Sequence, residues 1–223
     1  MSPETPESEI RALIRPYTGE PAGIRRTARG FSPALRWRAE GERWIVLGFD
    51  VVAGRDAGFG PGSPDLASVV ELVDSVGKLG LPEVAEGWPE SRWNRFALDA
   101  SEAELFQGRA LLHTDINPSN LIVGSRGTWV VDWAWPTRGA GFIDPALLVV
   151  QLVSAGHGPG AAEAWASGCA AWGRADPKAL DAFAAATVRM YRTFAGRRPG
   201  AAWLEAMVEA ARFWAGRRGV TVV

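Results

Sequence analysis

Apolar residues recur along the chain with two different periods, and the changes from one to the other divide it. Ile10, Leu13 and Ile14 make a short stripe at helical spacing, opened by Thr5-Pro6 and closed at Pro16, which predicts a short opening helix. Ile24 to Arg29 reads as a strand, and the run R-W-I-V-L-G-F-D-V-V from Arg43 to Val52 is apolar enough for a buried one. A Gly- and Pro-rich loop, Gly54 to Pro64, follows. With Ser63 as cap and Pro64 at the first helical position, Leu66, Val69, Val70, Val73, Val76 and Leu79 then predict a helix with one buried face. Ser101 and Glu104 suggest a capping box for a short helix ending near Gly108, after which Ala110 to Leu112 lead into His113 to Asn120. Leu121 to Val123 and Thr128 to Trp133, separated by Gly124-Ser125-Arg126-Gly127, read as two arms of a hairpin. Beyond them the pattern is helical. Asp144-Pro145, Asp176-Pro177 and Arg198-Pro199 each precede a long apolar-periodic segment, and Leu204, Met207, Ala211 and Trp214 mark the last buried face.

Composition narrows the function classes. With 223 residues, 47% hydrophobic and 22% charged, the chain can bury a sizeable core as one large domain or two small lobes. Its 24 basic and 25 acidic side chains nearly cancel, which argues against a nucleic-acid binder. One cysteine, Cys169, cannot form an internal disulfide, and one thiol with two histidines cannot build a structural zinc site; both fit a reducing, cytoplasmic setting. Glu4, Glu7 and Glu9 stand where a secretory signal wants positive charge, and no apolar run reaches membrane-spanning length, so secretion and membrane insertion are not expected. The eleven tryptophans read as compositional bias; Trp133 and Trp135 could line a pocket, yet strand alternation would make at least one of them core.

Candidate chemistry gathers in His113-Thr114-Asp115-Ile116-Asn117-Pro118-Ser119-Asn120, with Asp132-Trp133 following across the hairpin. A loop can place the Asp115 carboxylate where it accepts or orients a hydroxyl proton, while the oxygens of Asn120 and Asp132 converge on a hard cation such as Mg²⁺. An aspartate in a loop is by itself usually a turn or cap residue; Asn120 and Asp132 in register give Asp115 a functional reading. A helix cap accounts for Asp144, and His157 is assigned no role. A hydrolase metal site built on His113 and Asp115 would need more than the one other histidine.

The His-x-Asp-x-x-Pro-x-Asn run followed by Asp132 resembles the catalytic loop and metal-binding aspartate of the aminoglycoside phosphotransferase and choline kinase-like family. The resemblance extends over about 190 residues from near Leu35, and Phe142-Ile143-Asp144-Pro145 matches the segment opening the family's central helix. It implies an α+β, protein kinase-like two-lobe fold: a truncated β N-lobe over 1–52 and a mostly helical C-lobe over 53–223, with the catalytic loop and metal-binding hairpin in the latter. It also implies ATP and Mg²⁺ as cofactors and a small-molecule hydroxyl as acceptor. Asp115 would be the catalytic base or hydroxyl-orienting residue, Asn120 and Asp132 the metal ligands, and His113 and Asp144 structural support. Phe49, Asp50, Val51 and Val52, on the hinge strand, would meet the adenine. Glu163, Asp181, Glu205 and Glu209 could face a cationic acceptor, although surface carboxylates are usually solvated.

One departure bears on activity. The family's N-lobe holds a glycine loop, a strand lysine and a helix glutamate, but no lysine precedes Lys78 here. Thr27 to Ser32 resembles the first strand and the start of the glycine loop, whereas Pro33 to Trp37 resembles the stretch before the hinge, so the middle of the N-lobe is missing at the Ser32-Pro33 join. Arg25, Arg26 or Arg29 could stand in for the lysine. The shortened lobe would leave unpaired strand edges through which two copies could dimerise. The alternative is therefore an impaired pseudoenzyme or truncated gene product that binds a ligand or partner without phosphoryl transfer.

Overall fold

A computed structural model describes residues 6–19 and 35–222 of the chain. The expected strand at Ile24 to Arg29, with Arg25 and Arg26, lies outside the described residues. The opening helix α1 (Pro6–Thr18) runs two residues past Pro16 and closes on Gly19, whose φ of 69° and N–H to the Arg15 carbonyl form a left-handed cap. Next come β1 (Leu35–Glu40) and β2 (Ile45–Phe49), an antiparallel pair with Ala39 opposite Val46.

The strand predicted over Arg43 to Val52 is shorter than expected and not buried: Ile45 and Leu47 are 60% and 46% exposed. Among the described residues its sheet has two strands, and packing comes from α1, where Tyr17 stacks on Trp37 at 5.0 Å and Glu9 accepts from Arg43 and Trp44. An apolar run reads as buried only if both faces are covered, which a two-stranded sheet against one helix does not provide.

From Ala53 onward the chain is mostly helical. β3 (Arg55–Asp56), β5 (Leu121–Gly124) and β6 (Gly127–Val130) form one small antiparallel sheet, and β4 (Ala110–Leu112) pairs with β7 (Thr137–Gly139) in another. The helices are α2 (Leu66–Gly77), α3 (Ala100–Glu104), α4 (Ile143–Ser154), α5 (Pro159–Ala166), α6 (Ala170–Gly173), α7 (Pro177–Arg197) and α8 (Ala202–Arg217). This is the expected α+β architecture, with small sheets and a mostly helical C-terminal part. α4 is its axis: every residue from Ile143 to Val150 is buried, so it is apolar all round and must be enclosed, here by α2, α5, α7 and α8. Phe183 of α7 meets Phe106, Phe142 and Trp93, tying the segments before and after residues 113–120 to this core. No described helix is long and apolar enough to cross a membrane.

Several predicted boundaries shift for local reasons. α2 begins at Leu66 rather than Pro64, because Asp65 turns its carboxylate away from the helix to Arg55 and the Gly58 N–H. The capping box sits two residues earlier than the Ser101 and Glu104 reading: Asp99 accepts from the Glu102 N–H while Glu102 reaches back to Leu98, and Ser101 donates to Asp99. Asp176 caps α7 through the Lys178 N–H, and Leu204, Met207, Ala211 and Trp214 form the buried face of α8.

Candidate active site in the loop after β4

β4 ends at Leu112, and the next eight residues turn back on themselves before β5. Asn117 organises that turn: its Oδ1 accepts from the N–H groups of Ser119 and Asn120, capping a 3-10 turn over Pro118–Asn120, with Pro118 supplying a preset φ. Within it, the Asn120 amide lies against Asp115. Its Nδ2 donates to the Asp115 carbonyl at 2.9 Å and to the carboxylate Oδ2 at 2.8 Å, and Asn117 Nδ2 donates to Oδ1 at 3.0 Å. Both Asp115 groups facing Asn120 can only accept, so the amide must present nitrogen to them and its Oδ1 must point away. Asp115 is solvent-exposed and Asn120 buried.

Asp132 is brought alongside by the hairpin. The β5–β6 ladder continues one step beyond β6 through Val131 N–H to the Asn120 carbonyl at 2.8 Å, and Asp132 is the next residue. The strand expected to reach Trp133 stops here because Asp132 adopts φ 62°, which breaks the pleat. A non-glycine residue in that region is held there by its surroundings. The Asp132 carboxylate, half-buried, has no hydrogen bond or ion pair among the described residues. An outward amide oxygen and an unpaired carboxylate at neighbouring strand ends suit a hard divalent cation that keeps part of its water shell. A cluster of three or more His, Cys, Asp or Glu side chains, as a softer metal would need, is absent among the described residues.

The loop is fixed from below. Asp144, predicted as a helix cap, instead sends its carboxylate to the loop after β4: Oδ2 accepts from the His113 N–H and Oδ1 from the Thr114 N–H, each at 2.8 Å. Burial pushes the Asp144 carboxyl up, and the two N–H donors pull against it. Thr114 takes φ 66° between them, an uncommon conformation for a β-branched residue, and its hydroxyl donates to the His113 carbonyl. The His113 ring is fully engaged: Nε2 lies 2.9 Å from the Val131 carbonyl, which assigns it the proton, and Nδ1 accepts from the Asp115 N–H at 3.3 Å. Trp133 packs edge-on against that ring at 4.9 Å. His113 therefore ties the loop to the hairpin and has no lone pair left for a metal.

Phe49, Asp50, Val51 and Val52 form the passage from β2 to β3. Asp50, Val51 and Val52 line a cleft of about 480 Å³ with Arg36, Ala53, Arg126 and Trp129, and Asp50 pairs with Arg36 at 2.6 Å. The passage lies hard against the hairpin: a Cβ on Gly124 would come within 2.3 Å of the Ala53 carbonyl. Two of the acidic residues suggested for a cationic acceptor are spent on structure, since Arg218 bridges Glu163 and Asp181 at 2.7 and 2.6 Å; Glu209 pairs with Arg212.

Sequence reasoning missed a second polar cluster beside the loop. Glu90, 1% exposed, accepts from the Arg92 N–H and guanidinium and from the Thr137 hydroxyl. Its partners lie up to 47 positions away and no motif marks them. Burial, and then the charge of Asp115, push the phenol of Tyr191 in α7 up.

No protein-family model matches this sequence, and no curated protein does either. Among solved structures the chain is similar to the crystal structure of the spectinomycin phosphotransferase APH(9)-Ia in complex with ADP and spectinomycin. The identity is 10%, the TM-score 0.45, and the match covers 80% of this chain and 69% of that one.

Proposed function

We propose that the chain is a kinase-like, aminoglycoside phosphotransferase-type enzyme that transfers the γ-phosphate of ATP to a hydroxyl of a small molecule in the cytoplasm. The observation that carries this is the Asp115–Asn120 pair, in which one amide orients the carboxylate with its nitrogen and turns its oxygen away from it, with Asp132 next in the chain after the Val131 N–H that meets the Asn120 carbonyl. Asp115 accepts the acceptor's hydroxyl proton as the oxygen–phosphorus bond forms and the bond from the γ-phosphorus to the β-γ bridging oxygen breaks. Asn120 and Asp132 would hold Mg²⁺, which when bound neutralises charge on the phosphates. His113 and Asp144 keep the loop in place, and the passage Phe49 to Val52 would meet the adenine. In this reading residues 1–52 are a reduced N-lobe and 53–223 the catalytic lobe.

Calorimetric titration of Mg²⁺-ATP into the purified chain, beside an Asp132→Ala variant, tests the reading. Saturable, metal-dependent binding that disappears in the variant is expected; a folded wild-type chain that binds nothing would sink it. A second reading, ligand binding without transfer, is favoured by one observation: no lysine precedes Lys78. Loss of one preorganised charge at a phosphoryl-transfer site costs about 3–4 kcal/mol, or two to three orders of magnitude in rate. Nucleotide binding without turnover of any hydroxyl acceptor would select it.

A further inference from the structure

A cavity of about 360 Å³ opens between residues 88–92 and 134–137. Trp88, Pro89, Trp135 and Pro136 supply its apolar wall, with Arg92 and Thr137 at its polar end. Trp88 and Trp135 are 41% and 75% exposed, so neither indole is used up in the core. The cavity is joined to the catalytic loop through the Trp135 carbonyl, which accepts from the Thr114 hydroxyl and from Arg92 Nη2, each at 3.4 Å; Thr114 immediately precedes Asp115.

The polar end has a definite sign. The Glu90 side chain is completely buried and its oxygens are occupied by Arg92 and Thr137, whereas the Arg92 side chain is 36% exposed. Arg92 spends Nε and Nη2 on these contacts, and Nη1 has no partner among the described residues. The negative charge is thus shielded and the guanidinium faces outward with a donor to spare, while the flat indole walls offer stacking surface. A polycation would find no free carboxylate in this wall.

We propose that this cavity is the acceptor subsite and that it takes an aromatic alcohol bearing a carboxylate. The ring lies against Trp88 and Trp135 and the carboxylate meets Arg92. The assignment rests on the phosphotransferase reading for the fate of the hydroxyl, but its binding chemistry is tested without nucleotide.

Two probes of equal size and opposite charge, 4-(hydroxymethyl)benzoate and 4-(aminomethyl)benzyl alcohol, are titrated calorimetrically into the full chain. The carboxylate is expected to bind and the amine to bind at least about tenfold more weakly. Trp135→Ala, at an exposed site, should keep its melting temperature and weaken the carboxylate about tenfold, and Trp88→Ala should act in the same direction if the first variant fails to fold. Tighter binding of the amine, binding of neither probe, or unchanged affinity in both folded variants overturns the assignment, whatever the Mg²⁺-ATP titration gives. Binding of the carboxylate without its phosphorylation, in a chain that phosphorylates another hydroxyl acceptor under Mg²⁺-ATP, upholds the cavity's binding chemistry and overturns its role as the acceptor subsite, leaving the kinase reading in place.

Discussion

Asp115 is held by two amides and otherwise faces solvent, so its chemistry and its structural role can be separated by substitution. Asp115→Asn keeps the shape and loses the proton acceptor. Under the proposed function, phosphoryl transfer should fall by about 10²- to 10⁴-fold and Mg²⁺-ATP affinity should stay, while stability falls by only about 0.5–1.5 kcal/mol because one of the two amide donors loses its acceptor. Parallel turnover, calorimetry and urea melts check this; a fall in stability equal to the fall in activity would make Asp115 a scaffold residue. Asp115 and Asn120 were legible in the sequence because they lie five positions apart in one loop, where chain connectivity alone forces proximity. Glu90 and Thr137 meet only because the chain at Trp88 to Glu90 runs beside β7, through the Pro89–Arg138 bridge and the Glu90 N–H to the Arg138 carbonyl, and nothing local marks either residue. Asp144 was legible as a structural residue but with the wrong partner: Asp-Pro at a helix start signals a cap, and only the tertiary fold shows its carboxylate serving the His113 and Thr114 N–H groups.

At the scale of elements, the joints around the candidate site are tight. Asp65 locks β3 to the start of α2, and the Arg55 guanidinium, with the Gly58 N–H, holds its carboxyl down at about 2. In the unfolded chain an aspartate titrates near about 3.9. The folded value is the lower one, so this joint stabilises fully above about pH 4 and its contribution is lost as pH falls towards about 2. Arg55 is 60% exposed, so screening limits the effect to on the order of 1 kcal/mol. Urea midpoints at about pH 5 and pH 2.5 should therefore differ less in Asp65→Asn than in the wild type; equal pH sensitivity would exclude the pair as a contributor. Gly124 tests the other joint. Adding its Cβ against the Ala53 carbonyl at 2.3 Å forces two backbones apart, and Gly124→Ala should cost about 1–3 kcal/mol. Gly60→Ala, where a Cβ meets nothing within 4 Å, should stay within about 0.5 kcal/mol. The helices were readable because a 3.6-residue period survives in any environment that buries one face; α2, α7 and α8 show this. β2 was misread because an apolar run does not reveal how many layers will cover it.

On the scale of the molecule, stability is unevenly distributed, and the division falls at the candidate nucleotide cleft. The helical part is organised about α4, with Leu148, Val149 and Val150 fully buried. Ahead of it, among the described residues, β1 and β2 form a two-stranded sheet with exposed Ile45 and Leu47, supported by α1 through the Tyr17–Trp37 stack and Glu9. Isolated pairs of strands are marginal in water, and regions with few buried apolar contacts open at lower free energy than the core. Backbone amides of β1 and β2 should therefore exchange hydrogen orders of magnitude faster than those of α4 and α7 in native-state exchange. If Phe49 to Val52 hold the adenine, saturating Mg²⁺-ATP should slow exchange in β2 selectively, because a ligand stabilises the state it binds by an amount set by its concentration over its Kd. Uniform protection of both parts without nucleotide would refute the uneven distribution. Slowing confined to the Asp115–Asp132 loop and hairpin would instead show phosphate contact with no adenine contact at the strand.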